Sequence, residues 1–257
     1  MRDVKFHGYF RGSGWSAALG LATLVVAFPP MAAAQTPVEL ELVLAVDASD
    51  SVSAVEFDLQ VSGLAGALRD PDVVAAIRDA GPPGIAIALV QWSSPGHQIV
   101  AVDWSVVSDG DSAERLARRI LGAGRLVMGE TAIGNALAFA KDLLMTNEFA
   151  GRRRVIDVSG DGETNWGPSP GGVRDRVVAA GITINGLAVA NEQPALGEYY
   201  RTHVIGGAGS FVVTATDYAD FARAIRIKLI QEIRAGPISY DPSDSGEFRA
   251  DRQRGDG

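Results

Sequence analysis

The stretch Val38-Glu39-Leu40-Glu41-Leu42-Val43-Leu44-Ala45-Val46-Asp47-Ala48-Ser49-Asp50-Ser51 decides how the rest of the chain is read. It begins with apolar and acidic residues in alternation. From Leu42 to Val46 it becomes continuously apolar, the pattern of a strand covered on both faces, as in a parallel sheet. The run stops at Asp47, and Asp47, Ser49 and Ser51 then place three oxygen-bearing side chains at alternate positions of one tight loop.

The sequence on either side supports such a sheet. A helix is expected from Ser53 to Arg69, with Phe57, Val61, Leu64 and Leu68 on one stripe. Asp70-Pro71 ends it, and Val73 to Ala80 reads as a second, short helix. Ile85 to Trp92 is another buried strand. The turn Ser93-Ser94-Pro95-Gly96 leads into a strand from His97 to Val106. So short a link favours an antiparallel pair, because a parallel crossover needs a dozen residues or more. Helices are expected over 111–121, 131–145, 173–180, 195–203 and 218–233, and strands over 155–159, 182–189 and 210–213. Gly-rich or polar loops fill 122–130 and 160–172. Strands alternating with helices predict an α/β, doubly wound, mainly parallel six-stranded sheet of Rossmann-like type with one antiparallel edge strand.

The two ends read differently. Arg2, Lys5 and Arg11 precede an apolar run from Trp15 to Phe28, and Ala32-Ala33-Ala34 follows Pro29-Pro30. Basic start, apolar middle and small-residue cleavage site form a signal peptide over 1–34. The run is shorter than the ~20 residues of a spanning helix. From Gly236 to Gly257 the chain is polar and reads as a disordered tail. Residues 35–235 are then one domain, exported to a periplasm or the extracellular space.

The net charge is −8. The leader carries three bases and one acid, so cleavage lowers it by two, to −10. An acidic surface argues against nucleic acid and anionic membranes as partners. Cysteine is absent, which excludes disulfides, thiolate metal sites and lipid attachment through cysteine.

In open α/β sheets ligands gather outside the carboxyl ends of the strands. Three loops there carry chemistry: Asp47-Ala48-Ser49-Asp50-Ser51, Gly129-Glu130-Thr131-Ala132-Ile133-Gly134, and Ser159-Gly160-Asp161-Gly162. By itself the first loop could be only a helix N-cap, for which Ser51 or Ser53 is suited. All three, in this order and each beside an expected strand or helix end, resemble the von Willebrand factor A (vWA) domain and its metal-ion-dependent adhesion site (MIDAS). The resemblance spans about Val38 to Arg234 and is strongest to a bacterial group of exported A-domain proteins with no assigned activity.

The resemblance implies a divalent metal held by Asp47, Ser49, Ser51, Thr131 and Asp161. Ser49, Ser51 and Thr131 would ligate directly, while Asp47 and Asp161 would act mostly through waters and orient the hydroxyls. Hydroxyl and carboxylate oxygens suit hard ions, Mg²⁺ first and then Ca²⁺ or Mn²⁺, and not zinc. The implied function is protein–protein interaction, with a partner's carboxylate taking an open position on the metal. Asp50, Glu130 and Glu163 lie in the same loops. They are either solvated loop acids or groups that cap the metal and repel an anionic ligand. Trp166 is either part of a contact rim or folded over its loop, whereas Trp92 is expected in the core. Asp157 and Asn185 interrupt neighbouring apolar strands and are expected to hydrogen-bond to each other. Arg152-Arg153-Arg154 reads as a solvated strand entrance.

Enzymatic readings are weaker. Gly167-Pro168-Ser169-Pro170-Gly171 matches a hydrolase elbow in form, with Asp175 and His203 following in order. Pro170, however, has no N–H for the oxyanion hole. No phosphate-binding loop occurs. The alternatives to adhesion are metal-assisted phosphoester hydrolysis with the same carboxylates, and a metal-free scaffold.

Overall fold

The computed structural model describes residues 34–234. Apart from Ala34, the expected leader and tail lie outside the described residues. Six strands form one sheet in the order β3-β2-β1-β4-β5-β6. These are β1 (Thr36–Asp47), β2 (Ile85–Trp92), β3 (Gln98–Val107), β4 (Phe149–Gly160), β5 (Thr183–Val189) and β6 (Val212–Ala215). Only β3 runs antiparallel to its neighbour. The chain winds outward from β1 to β2 and β3, then returns to lay β4 on the other side of β1. The order therefore reverses between β1 and β4, which is where such sheets open a crevice at their carboxyl ends. Asp47 closes β1 and Asp161 follows the end of β4.

Every residue of β1 from Leu40 to Asp47 is buried, because both faces of the sheet are covered. Leu40, Leu42, Leu44 and Val46 enter one core, with α1 (Ala54–Arg69), α2 (Pro71–Asp79), α3 (Gly110–Gly122) and α7 (Phe221–Arg234). Val43 and Ala45 enter the other, with α4 (Ile133–Met145), α5 (Pro170–Ala179) and α6 (Leu196–Tyr199). The strict alternation along β1 is the two-residue period of a strand divided between two layers.

Two elements depart from expectation. β4 begins at Phe149, ahead of its apolar run, because residues 149–154 pair with the first half of β1. The buried carboxylate of Glu41 anchors that part, accepting from the Gly151 N–H (2.7 Å) and the Asn147 side-chain amide (2.7 Å). Arg152, Arg153 and Arg154 thus stand inside the strand. Arg152 pairs with Glu39 and Arg154 with Glu41, and Arg153 donates to the last carbonyls of α7 at Glu232 and Ile233. A cation at a helix carboxyl end meets the negative pole of its dipole. The helix expected over 195–203 is instead α6 followed by a π-helical turn over Tyr200–Val204, with Ile205 N–H bonded to the Tyr200 carbonyl at 3.0 Å.

Candidate metal site

The sheet register sets the floor of the site. Asp47 pairs with Trp92 of β2, and Val46 with Ser159 of β4, so the next residue on that ladder, Gly160, flanks Asp47 on its other side. Asp47 is fully buried. Its Oδ1 accepts the Ser49 N–H at 2.7 Å, the turn that reverses the chain after β1. Its Oδ2 is buried with no hydrogen-bond partner. Burial pushes the carboxyl up to about 7, the Asp161 charge adds to this, and the Ser49 hydrogen bonds and the Arg125 cation oppose it.

The hydroxyls continue from there. Ser49 Oγ lies 3.1 Å from Ser51 Oγ, and Ser51 Oγ donates to Asp161 Oδ1 at 2.8 Å. Ser51 is free to do so because it is not a helix cap. That role falls to Ser53, whose Oγ accepts the Glu56 N–H while Glu56 Oε2 accepts the Ser53 N–H in a capping box. Ser49 and Asp161 are buried and Ser51 is exposed, so the group opens to solvent through Ser51. Behind Asp161 stands the Tyr218 phenol, its ionisation raised far above the usual range by burial and by the charges of Asp161 and Asp47.

Thr131 is buried ahead of α4, and its backbone is held by both neighbouring loops. Its N–H donates to Asn165 Oδ1 (2.9 Å), and its carbonyl accepts from the Asn165 N–H (3.0 Å) and Thr164 Oγ1 (3.0 Å). Two residues upstream, the Gly129 carbonyl accepts the Asp50 N–H at 2.7 Å, and Asp50 Oδ1 accepts the Gly129 N–H at 2.9 Å. Gly129 holds a φ of 129°, and a Cβ there would collide with Ser94 Oγ. The structure thus joins the loops of Asp47, Ser49, Ser51 and Asp161 through side chains, and brings in Thr131 through backbone. Among the described residues no hydrogen bond links the Thr131 hydroxyl to the other four. Asp50 is accounted for as a loop fastener, whereas Glu130 and Glu163 are exposed.

Sequence reasoning missed Arg125. This half-buried residue of the Gly-rich loop donates to the carbonyls of Val52 (2.8 Å), Ala48 (2.8 Å) and Ser49 (2.6 Å), and its guanidinium lies over the Phe57 ring. It clasps the Asp47–Ser51 loop from behind, and its charge acts on the buried Asp47 carboxyl. Gln91 holds the same segment in place, accepting the Leu126 N–H and donating to the Gly124 carbonyl. Arg125→Ala is expected to cost about 2–4 kcal/mol in denaturant unfolding, since it strands carbonyls that accept charge-assisted bonds. Arg125→Lys should recover only part, because one ammonium cannot reproduce the planar fork.

Trp92 is buried in the core as expected, and Trp166 is 60% exposed beside the Thr131 loop, as is Met128. The expected Asp157–Asn185 bond is not formed, although the two residues are register partners. Asp157 instead pairs with Lys228 of α7 at 2.5 Å, and Asn185 donates to Glu232. The elbow-like segment lies well past β4, which ends at Gly160. Ser169 merely precedes α5, with Pro170 at its first turn, and Asp175 pairs with Arg174. No strand delivers that serine to a helix.

A six-stranded, mainly parallel sheet with one antiparallel edge strand and three converging oxygen-bearing loops at its switch point is the von Willebrand factor A fold. The sequence matches, over residues 37–237, a family described as "Protein of unknown function (DUF1194)", and the chain belongs to that family. No curated protein matches the sequence. Solved structures share the fold at low identity. Proximal thread matrix protein 1 from the mussel byssus matches with a TM-score of 0.55 at 16% identity, over 78% of this chain and 47% of its own. Another structure of that mussel protein is described as having a zinc-occupied MIDAS motif. A von Willebrand factor type A structure from Catenulispora acidiphila matches at 0.50 and 16%, over 76% of this chain and 43% of its own. The vWF domain of the type V pili tip protein Mfa5 from Porphyromonas gingivalis matches at 0.51 and 12%, over 78% of this chain and 98% of its own. The chain thus spans less than half the length of the mussel and Catenulispora chains.

Proposed function

We propose that this chain is an exported vWA domain that binds one divalent cation through Asp47, Ser49, Ser51, Thr131 and Asp161 and uses it to hold a protein partner. The observation that carries the reading is the buried, partnerless Asp47 Oδ2, at the start of the loop that carries the bonded series Ser49–Ser51–Asp161. A desolvated carboxylate oxygen with no donor is costly unless a cation or donor satisfies it. The donor set fits a hard ion: two carboxylates, three hydroxyls and no imidazole. Among the described residues no group of three or more His, Cys, Asp or Glu side chains is gathered for metal binding, so the hydroxyls must contribute. Mg²⁺ suits such oxygens best, with Ca²⁺ and Mn²⁺ next.

When bound, the metal would offer an open position to a carboxylate of the partner. The protein's own part is to hold the hydroxyls. Asp161 orients Ser51, the Asp47 turn sets Ser49, and Arg125 fixes the loop that carries both. The exposed Trp166 and Met128 would give a partner apolar contact, while Glu130 and Glu163 tune the field around it. Among the described residues no helix is long and apolar enough to cross a membrane. The mussel-byssus and pilus-tip neighbours support a role outside the cytoplasm.

Calorimetric titration of the domain with Mg²⁺, Ca²⁺, Mn²⁺ and Zn²⁺, followed by capture of extracellular proteins with and without chelator, tests the reading. Saturable metal binding, chelator-sensitive capture and weaker capture by Trp166→Ala are expected. No metal binding would leave a scaffold domain. Metal-dependent turnover of phosphoesters would replace adhesion with catalysis.

A further inference from the structure

A second set of unsatisfied atoms stands beside Asp47. Among the described residues the buried polar atoms without a partner include Asp47 Oδ2, the Tyr200 hydroxyl and the Trp92 indole nitrogen. The two oxygens share one place. A Cβ built on Gly160 would lie 2.8 Å from Asp47 Oδ2, 2.8 Å from the Tyr200 hydroxyl and 3.4 Å from Cζ2 of Trp92. Both oxygens therefore lie over the bare backbone of Gly160, with the Trp92 indole at the edge. One is an acceptor and the other can donate.

The fold builds this arrangement deliberately. Tyr200 is fully buried at the start of the π-helical turn, a feature common at functional positions. Its ring crosses β5 at Gly186, where a Cβ would come within 2.7 Å of Cδ1. Gly186 pairs with Val158, two residues before Gly160 on β4. Two glycines on adjacent strands and one face thus open a slot that leads the phenol from the α6 side of the sheet to the end of β1. Nothing in core packing requires a hydroxyl at the end of that slot, since phenylalanine would fill the same space.

We propose that Tyr200 is a positioning residue for Asp47. Its hydroxyl donates to Asp47 Oδ2, directly or across one internal water, and so fixes the carboxylate plane presented to the metal. The metal part of this inference rests on the function proposed above, whereas the Tyr200–Asp47 contact does not. Groups that orient a ligand from behind change metal affinity by about 10–100-fold when removed.

The test combines Tyr200→Phe and Gly160→Ala with a high-resolution crystal structure of the metal-free protein. Tyr200→Phe keeps the ring in its slot and removes only the hydroxyl. An unpartnered hydroxyl should be lost with no harm or with a gain in melting temperature. A positioning hydroxyl should instead weaken Mg²⁺ binding about tenfold by calorimetry while the fold persists. Gly160→Ala, which fills the space between the oxygens, should lower affinity at least as far. The crystal structure should show the hydroxyl on Oδ2 or one water between them. Unchanged Mg²⁺ affinity in Tyr200→Phe, or a hydroxyl turned away with no bridging water, overturns the inference. If the wild-type protein gives no metal heat, the metal-site reading falls. The crystal structure alone then decides the Tyr200–Asp47 contact, either way.

Discussion

Asp47→Ala is expected to abolish metal binding, with an affinity loss beyond 100-fold, while leaving a folded domain. The side chain closes the turn after β1 and carries a buried oxygen for which the structure records no hydrogen bond. Metal binding stabilises by mass action, about 2.7 kcal/mol at a free metal concentration of 100 times Kd. The wild-type melting temperature should therefore climb with added Mg²⁺, and that of the variant should stay flat. Without metal the variant should lose little, because removal of a desolvated carboxyl offsets the lost Ser49 bond. The decisive measurement is the melting temperature of both proteins across a Mg²⁺ series. Parallel curves would show that Asp47 is not part of the site.

The second large effect lies beneath the site. Lys228 of α7 is completely buried and reaches two buried carboxylates, Asp157 Oδ1 and Glu232 Oε1, each at 2.5 Å. Asn185 donates to Glu232 at 3.1 Å and accepts the Phe211 N–H at 3.1 Å, which links β5, α7 and the approach to β6. Lys228→Met should cost about 3–5 kcal/mol in urea unfolding, since it leaves buried carboxylates without their cation. The triple change Asp157→Asn, Lys228→Met and Glu232→Gln should regain most of that loss. The penalty comes from unpaired charge, and packing alone can replace the cluster.

The same cluster sets a pH dependence. Burial, with the Asp157 charge beside it, pushes Glu232 up to about 7 from an ordinary 4.5, against the pull of Lys228. The folded state therefore binds a proton between pH 4.5 and 7 that the unfolded state has released. Glu232's contribution to stability is full below pH 4.5 and is lost as pH rises through 7. Glu232→Gln should flatten that part of the stability profile, and the Lys228→Met penalty should shrink toward acidic pH. A Lys228→Met penalty that is equal at pH 4.5 and 8 would contradict this account.

The main lines of fold and site could be read before any coordinates. Continuous apolar runs announced β1 and β2 as strands covered on both faces, because a residue with no polar neighbour along the strand has no face to give to water. The short Ser93–Gly96 link announced an antiparallel β3, because four residues cannot carry a crossover. The gathering of Asp47, Ser49, Ser51 and Asp161 at one edge was legible because polar residues at the ends of apolar strands have only the sheet's carboxyl edge to occupy. Lys228 left a fainter trace. Asp157 and Asn185 each demanded a partner, and Lys228 and Glu232 stand four apart on the buried, otherwise apolar face of α7, but nothing local said which helix crosses which strand.

Local sequence by itself therefore determined the elements, the parallel sheet and the hydroxyl and carboxylate chemistry of its edge. These depend on the period of apolar residues and on backbone reach, and both act over a few residues. Only the tertiary structure decided what holds that edge in place. Arg125 meets carbonyls more than seventy residues away, and Asp157 takes Lys228 as its partner in place of the expected Asn185. In each case a buried polar group had to find a partner once water was excluded. The partner was whatever the sheet order and the helix packing had brought within hydrogen-bonding distance.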